Sequence, residues 1–271
     1  MRDVRPTAVA GTWYPGTRAA LERAVDAHLA SVDASDEGCP VALIAPHAGL
    51  MYSGPVAAYA YQLVSRCRYE AVVLVGPSHF VGFDGASLWP RGSWESPLGP
   101  VAVAETIAAT ITGATSLVRD HREAHGREHS LEMQLPFIAR LLPGVPMVPI
   151  VMGYQTRGTA EQLGDAVARA VEGLRVLLVA SSDLSHYKDA NTAAQMDAVV
   201  IRHVEAFDPD ALMRALEEEP HHACGGGPMV AVLRAARALG ATRARVLRYA
   251  DSGDVSGDKS AVVGYMAAAA W

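Results

Sequence analysis

Short β-rich apolar runs at 41–45, 71–75, 146–152, 175–180 and 244–250 alternate along this chain with stretches of helical period. That alternation restricts the fold to an α/β architecture, a largely parallel or mixed central sheet flanked by helices. Residues 261–266 are a further candidate strand. Leu21, Val25, Leu29 and Val32 recur at three-to-four spacing and predict a helix over 18–32. A helix opened by Pro55 is expected over 55–66, and one over 159–172 with Thr159 and Gln162 as a capping box and Leu163, Val167, Ala170 and Leu174 facing inward. Further helices are expected at 190–207, 209–218 and 228–239. The segment 82–100, rich in glycine, proline and tryptophan, breaks the rhythm and is expected to cross the sheet as an excursion or hairpin. No charged or low-complexity tract separates two halves, so 1–271 is read as one domain.

Half of the residues are hydrophobic, enough for a sizeable core, yet no apolar run reaches the roughly 18–20 residues of a membrane span. The N-terminal MRDVRPTAVAGTWYPG lacks the continuous apolar stretch of a signal peptide. A net charge of −6 and the absence of Lys/Arg runs argue against nucleic acid as a partner. Cys39, Cys67 and Cys224 are too few and too scattered for a disulfide framework. Cys39 and Cys67 are therefore read as ordinary packing residues, and the compartment as a reducing cytoplasm.

In a doubly wound sheet, the loops leaving the carboxyl ends of parallel strands converge on one crevice, where ligands bind. Three loops here each follow an apolar run and each carry a histidine: Pro46-His47-Ala48-Gly49, Gly76-Pro77-Ser78-His79, and Ser181-Ser182-Asp183-Leu184-Ser185-His186. A lone loop histidine is usually bonded to backbone; three in equivalent places suggest a shared rim. Cys224 lies in His222-Ala223-Cys224-Gly225-Gly226-Gly227-Pro228, where glycines allow close approach to a ligand and a helix N-terminus would favour the thiolate. Imidazole with thiolate describes a transition-metal site, His47, His79 and Cys224 being the ligands, with open positions left for catalysis. Asp183 and His186 then fall to supporting or acid/base roles. His121, His125 and the charges around them read as a solvated loop over 119–128, with His129 opening the helix EHSLEMQLPF. Pro136 should end that helix's first segment near Glu132, aiming Glu128 or Glu132 at a ligand histidine as support. Trp13, on the Gly/Pro-bounded turn GTWYPG, is expected to roof the pocket.

GTWYPG, APHAGLMYSG, GPSHF, EHSLEMQLPF, SSDLSHY and CGGGP occur in the order of the Memo family, which the chain resembles from Gly11 to Gly227, with GYMAAA fitting as well. In prokaryotes this family is AmmeMemoRadiSam system protein B. It is similar in fold to the class III extradiol dioxygenases, which hold Fe(II) with two histidines and a carboxylate. The resemblance implies that His47 and His79 take the two histidine ligand places, that His186 is the acid/base, and that Cys224 stands where the carboxylate would be. It also implies that Trp13 and Asp183 line the pocket. Trp13 and Tyr52 are the expected substrate contacts.

Three functions compete. The leading one is a non-haem iron redox enzyme, dioxygenase-like, in which copper or zinc are the other candidate metals and His186, oriented by Asp183, moves a proton on a small substrate. The second is a non-catalytic pocket binding a peptide or partner protein, AmmeMemoRadiSam partners among them. The motif loops hold no basic cluster for a phosphopeptide. The third is a metal-free hydrolase using Cys224 or Ser182 with His186 and Asp183. Ser182 is outside any G-x-S-x-G pattern, and the cysteine form leaves His47 and His79 unused.

Overall fold

The computed structural model describes residues 3–33 and 37–271. Among the described residues nine strands form the main sheet: β1 (Ala42–Ala45), β2 (Ala71–Pro77), β3 (Ala86–Leu88), β4 (Val118–Arg119), β5 (Met147–Met152), β6 (Val176–Ser181), β7 (His186–Lys188), β8 (Ala244–Asp251) and β9 (Val262–Ala270). Their spatial order is β7-β9-β1-β6-β2-β5-β3-β4, with β8 paired to β9. The central four, β1, β6, β2 and β5, are parallel. β9 runs antiparallel beside β1 and β3 antiparallel beside β5, which makes the sheet mixed.

The main helices are α1 (Arg18–Ala30), α2 (Leu50–Gln62), α3 (Glu105–Ala114), α4 (Leu135–Leu141), α5 (Arg157–Ala170), α6 (Ala190–Glu205), α7 (Pro209–Glu218) and α8 (Gly226–Ala238). Every residue of the four central strands is buried, so both sheet faces are covered, as parallel strands require. One layer is α1, α2 and α4, with α2 lying on β1 and β9; the other includes α5 and α8, with α8 lying on β6, β2 and β1. One contiguous apolar core runs from Tyr14 to Ala270.

Several expectations are corrected by packing. The second helix begins at Leu50 and carries Pro55 inside it, because buried Leu50 donates its N–H to the Trp13 carbonyl and so starts the first turn five residues early. Thr156, whose hydroxyl accepts from Thr159 N–H, caps α5 in place of Thr159, and Leu174 lies exposed beyond the helix end. The excursion 82–100 is partly sheet: β3 joins the main sheet, while Ser93–Trp94 pairs with Val101–Ala102 and with Val4–Arg5 in a small three-stranded sheet. The stretch 119–128 is not a solvated loop, for His125 and Glu128 are fully buried. The buried Arg5 guanidinium, stacked 4.1 Å over Trp94, reaches the His125 and Glu128 carbonyls and the Glu132 carboxylate and draws that stretch inward. His129 precedes the helix: a short 3-10 turn at Glu132–Gln134 leads into α4, where Pro136 falls in the first turn.

Cys39 and Cys67 are joined in a disulfide, their Cα atoms 5.7 Å apart across 28 residues. The bond ties the approach to β1 to the chain just past α2, and it removes the basis on which a reducing compartment was expected. Among the described residues no helix is long and apolar enough to cross a membrane.

Candidate functional site

Each central strand delivers a loop to the same end of the sheet. β1 and β2 are consecutive in sequence but not adjacent, since β6 lies between them. The two imidazoles nevertheless meet over the end of β6, with ring centroids 5.2 Å apart in an edge-to-face arrangement. Cys224 reaches the same point: its Sγ is 3.2 Å from His47 Nε2. Ligating atoms of His47, His79 and Cys224 all lie within 4.8 Å of one another.

The tautomers follow from hydrogen-bond accounting. The Ser181 hydroxyl donates its one proton to the Ser130 carbonyl at 2.6 Å. Gln134 Nε2, oriented by its second bond to the Pro46 carbonyl, donates to Ser181 Oγ. The remaining contact, His47 Nδ1 at 3.0 Å from that oxygen, therefore carries the proton on nitrogen. His79 Nδ1 faces Glu128 Oε1 at 2.8 Å, and a carboxylate can only accept. In their neutral form both rings thus leave Nε2 unprotonated and facing the site, the state in which imidazole binds metal.

Burial pushes the His47 pKa down to about 3, with the neighbouring His79 adding to the effect, and it pushes His129 down to about 4. Burial alone would raise Glu128, but the bonds from His79 and the Ser130 N–H outweigh it and hold the carboxylate at about 2. Burial raises Asp183, and raises the Cys224 thiol strongly, with the Asp183 charge adding to it. Proximity to the α8 N-terminus does not activate Cys224 as expected. A thiol held protonated beside a histidine held neutral is poorly set for metal-free nucleophilic attack. Ser182 is buried, accepting from Gly225 N–H and donating to the Asp183 carbonyl, so it is a brace and not a nucleophile.

Asp183 does not orient His186. Its Oδ1 accepts from the His47 backbone N–H at 2.7 Å, and its carbonyl accepts from Cys224 N–H, so it binds two of the site loops together. His186 lines the cavity without a bond to Asp183. Trp13, Tyr52, His47, His79, Asp183 and His186 share one cavity of about 510 Å³. His79 and His186 also line a neighbouring cavity of about 570 Å³ on the Cys224 side.

His129 belongs to this site although the sequence argument demoted it. Its ring lies 4.6 Å from His79, nearly parallel, and 4.4 Å from Trp13. His79, Glu128 and His129 also cluster closely enough to suggest a second metal group. Glu128 already serves four donors, Oε1 accepting from His79 Nδ1, His129 N and Ser130 N and Oε2 from His79 N, so a metal there would compete with bonds that brace the His79 loop. Gln155, at the end of β5, was missed too: it clamps the Cys224 carbonyl and the Gly227 N–H. The glycines of CGGGP serve packing, not ligand approach, for a Cβ at Gly225 would come 2.5 Å from the Ser181 carbonyl oxygen. Gln134, a polar residue inside the largely apolar run 131–137, was the signal available in the sequence; Glu128, set among charges, gave none.

A family model described as Memo-like protein matches residues 5–269. A MEMO1 family protein of Aeropyrum pernix is 38% identical over 277 residues, covering 97% of this chain and 98% of its own. One from Methanothermobacter thermautotrophicus is 38% identical over 274 residues, with 97% and 98% covered. Among solved structures, an uncharacterized protein of Escherichia coli K12 superposes with a TM-score of 0.57 at 17% identity, covering 83% of this chain and 98% of its own, a likeness of fold alone.

Proposed function

The chain belongs to the Memo-like protein family, and from that premise we propose that His47, His79 and Cys224 hold a transition metal in a redox enzyme acting on a small substrate. The observation that carries this reading is the donor set: two imidazole Nε2 lone pairs left free by fixed Nδ1 partners, facing one thiol. The 3.2 Å from His47 Nε2 to Cys224 Sγ is shorter than the sum of one metal–nitrogen and one metal–sulfur bond, about 4.4 Å for zinc, so one ion can reach both. Iron(II) is the metal we favour, on the likeness to the class III extradiol dioxygenases; copper and zinc are the alternatives, because imidazole suits all three and thiolate shifts preference toward softer ions. When bound, the metal supplies Lewis acidity and, if iron or copper, electron transfer.

The chain's own residues do the rest. Glu128 and Ser181 hold the two rings so that Nε2 faces the site, and Asp183 fixes the His47 backbone and the Cys224 loop. His186, half-buried at the cavity wall, is placed to accept or return a proton. Trp13 and Tyr52 bound the space in which substrate lies.

The test is elemental analysis of anaerobically purified protein beside Cys224→Ser. The thiolate would be the site's only anionic ligand, so the variant should keep its fold by circular dichroism and lose most of its bound metal. Unchanged metal content would remove Cys224 from the ligand set.

A further inference from the structure

The chamber beneath Trp13 has a composition that metal binding does not use. Besides the histidines, its wall includes Trp13, Tyr52, Tyr187, Met51 and Val263, and its only carboxylate is Asp183. No lysine or arginine lines it among the described residues. Trp13 is 39% exposed and Tyr187 77%, so both present ring surface at the opening. Tyr187 is held by an unusual backbone: its φ is 59°, at the register break where β7 pairs with β9 between His186 and Lys188. Bulky residues rarely adopt that conformation, and here it accompanies a bulge in β7 and a ring that lines the cavity. Gly49 lies between two of the walls; a Cβ there would stand 3.7 Å from the Trp13 carbonyl and 3.9 Å from the Tyr52 ring.

We infer that this chamber is a binding site for a planar aromatic ligand that carries no anionic group. A volume of about 510 Å³ suits a molecule of one or two rings. The indole and phenol walls supply stacking faces for such a ring. With no metal on the histidines, a phosphate or carboxylate would be stripped of water beside Asp183 with no lysine or arginine to receive it. His47 and His79 line this chamber, whereas Cys224 lines the neighbouring cavity, so the ring would meet the histidine side of the site. The inference rests on the metal reading for what the ring is there to do, and not for its binding.

The experiment is calorimetric titration of the full chain, both chelator-treated and metal-loaded, with 1-naphthol and 1-naphthyl phosphate. Both forms should bind the alcohol, and the chelator-treated form should prefer it to the phosphate by at least about tenfold, the factor that a loss of about 1.4 kcal/mol produces. Trp13→Ala should weaken naphthol binding about tenfold, stacking and buried area lost together, with the circular dichroism spectrum unchanged. Met51→Arg, which adds a cation to the wall, should raise affinity for the phosphate by about the same factor. Phosphate binding equal to or tighter than naphthol, in the chelator-treated unaltered chain, overturns the inference in favour of a phosphorylated partner. Absent naphthol binding, or binding indifferent to Trp13→Ala, overturns it outright. Because the chelator-treated chain needs no metal to bind a ring, failure here and failure of the metal reading are separate results.

Discussion

At the scale of single residues, Glu128 has the heaviest duty in the site. Its two oxygens accept four N–H groups, and one of those bonds sets the tautomer of His79. Glu128→Gln replaces one accepting oxygen by an NH₂ that confronts other donors. The variant should be less stable by about 1–3 kcal/mol, the cost of unsatisfied buried groups. It should also bind metal about 10–100-fold more weakly, as loss of a carboxylate partner behind a ligand histidine does. Urea denaturation and competition against a chelator measure the two effects, and full retention of both would remove Glu128 from this role. His47 and His79 could be found in the sequence because each follows an apolar run through proline or glycine. His129 could not, because it sits among charges that look solvent-facing and are drawn inward only by Arg5, more than a hundred residues away.

The elements show where local pattern suffices and where it does not. The four central strands and α7 follow from apolar runs and a proline start, since what buries them is their own composition. The α2 boundary, β3 and the small sheet depend on partners remote in sequence: Trp13 for Leu50, β5 for β3, Val4–Arg5 for Ser93–Trp94. The Cys39–Cys67 bond is the plainest example, for nothing in a spacing of 28 says that two cysteines meet. It closes a loop containing β1, His47, Tyr52 and α2, the unit that carries one wall of the site. A Cys39→Ala/Cys67→Ala chain should lose about 3.6 kcal/mol in the chain-entropy account. Its urea midpoint should fall accordingly, and adding reductant to the unaltered protein should bring it to the same value. A midpoint indifferent to both would mean that the bond constrains nothing.

For the molecule as a whole, buried neutral histidines make acid the sensitive direction. Burial depresses His125 to about 3, with Arg5 reinforcing it; its Nε2 bonds Ser87, while Nδ1 has no partner among the described residues. Unfolded histidine takes up a proton near pH 6.5, and the folded form does so only near 3. Stability from this group is therefore whole above pH 6.5 and lost as pH falls toward the folded value. Each such histidine adds a slope of about 1.4 kcal/mol per pH unit across that window. His125→Phe keeps the aromatic packing against Trp89 and Trp94 and leaves Ser87 bonded to residue 121. It should match the unaltered protein at pH 7.5 and fall less steeply by that slope between pH 6 and 4, as read from urea unfolding at each pH. Parallel curves would show that His125 is not titrating on unfolding.

The position of β9 has a consequence for how the chain comes off a ribosome. His47 follows β1, and β1 is flanked by β6 and by β9, residues 176–181 and 262–270. Synthesis at about 5–20 residues per second puts roughly 10–45 seconds between β1 and the end of β9. For that interval the strand that leads to His47 has at least one edge without its neighbour, an apolar template open to any other extended chain. The last ligand, Cys224, is also made within it. A nascent chain can hold the two histidines before it has either the thiol or the closed sheet, so shielding by a chaperone would matter most during this wait.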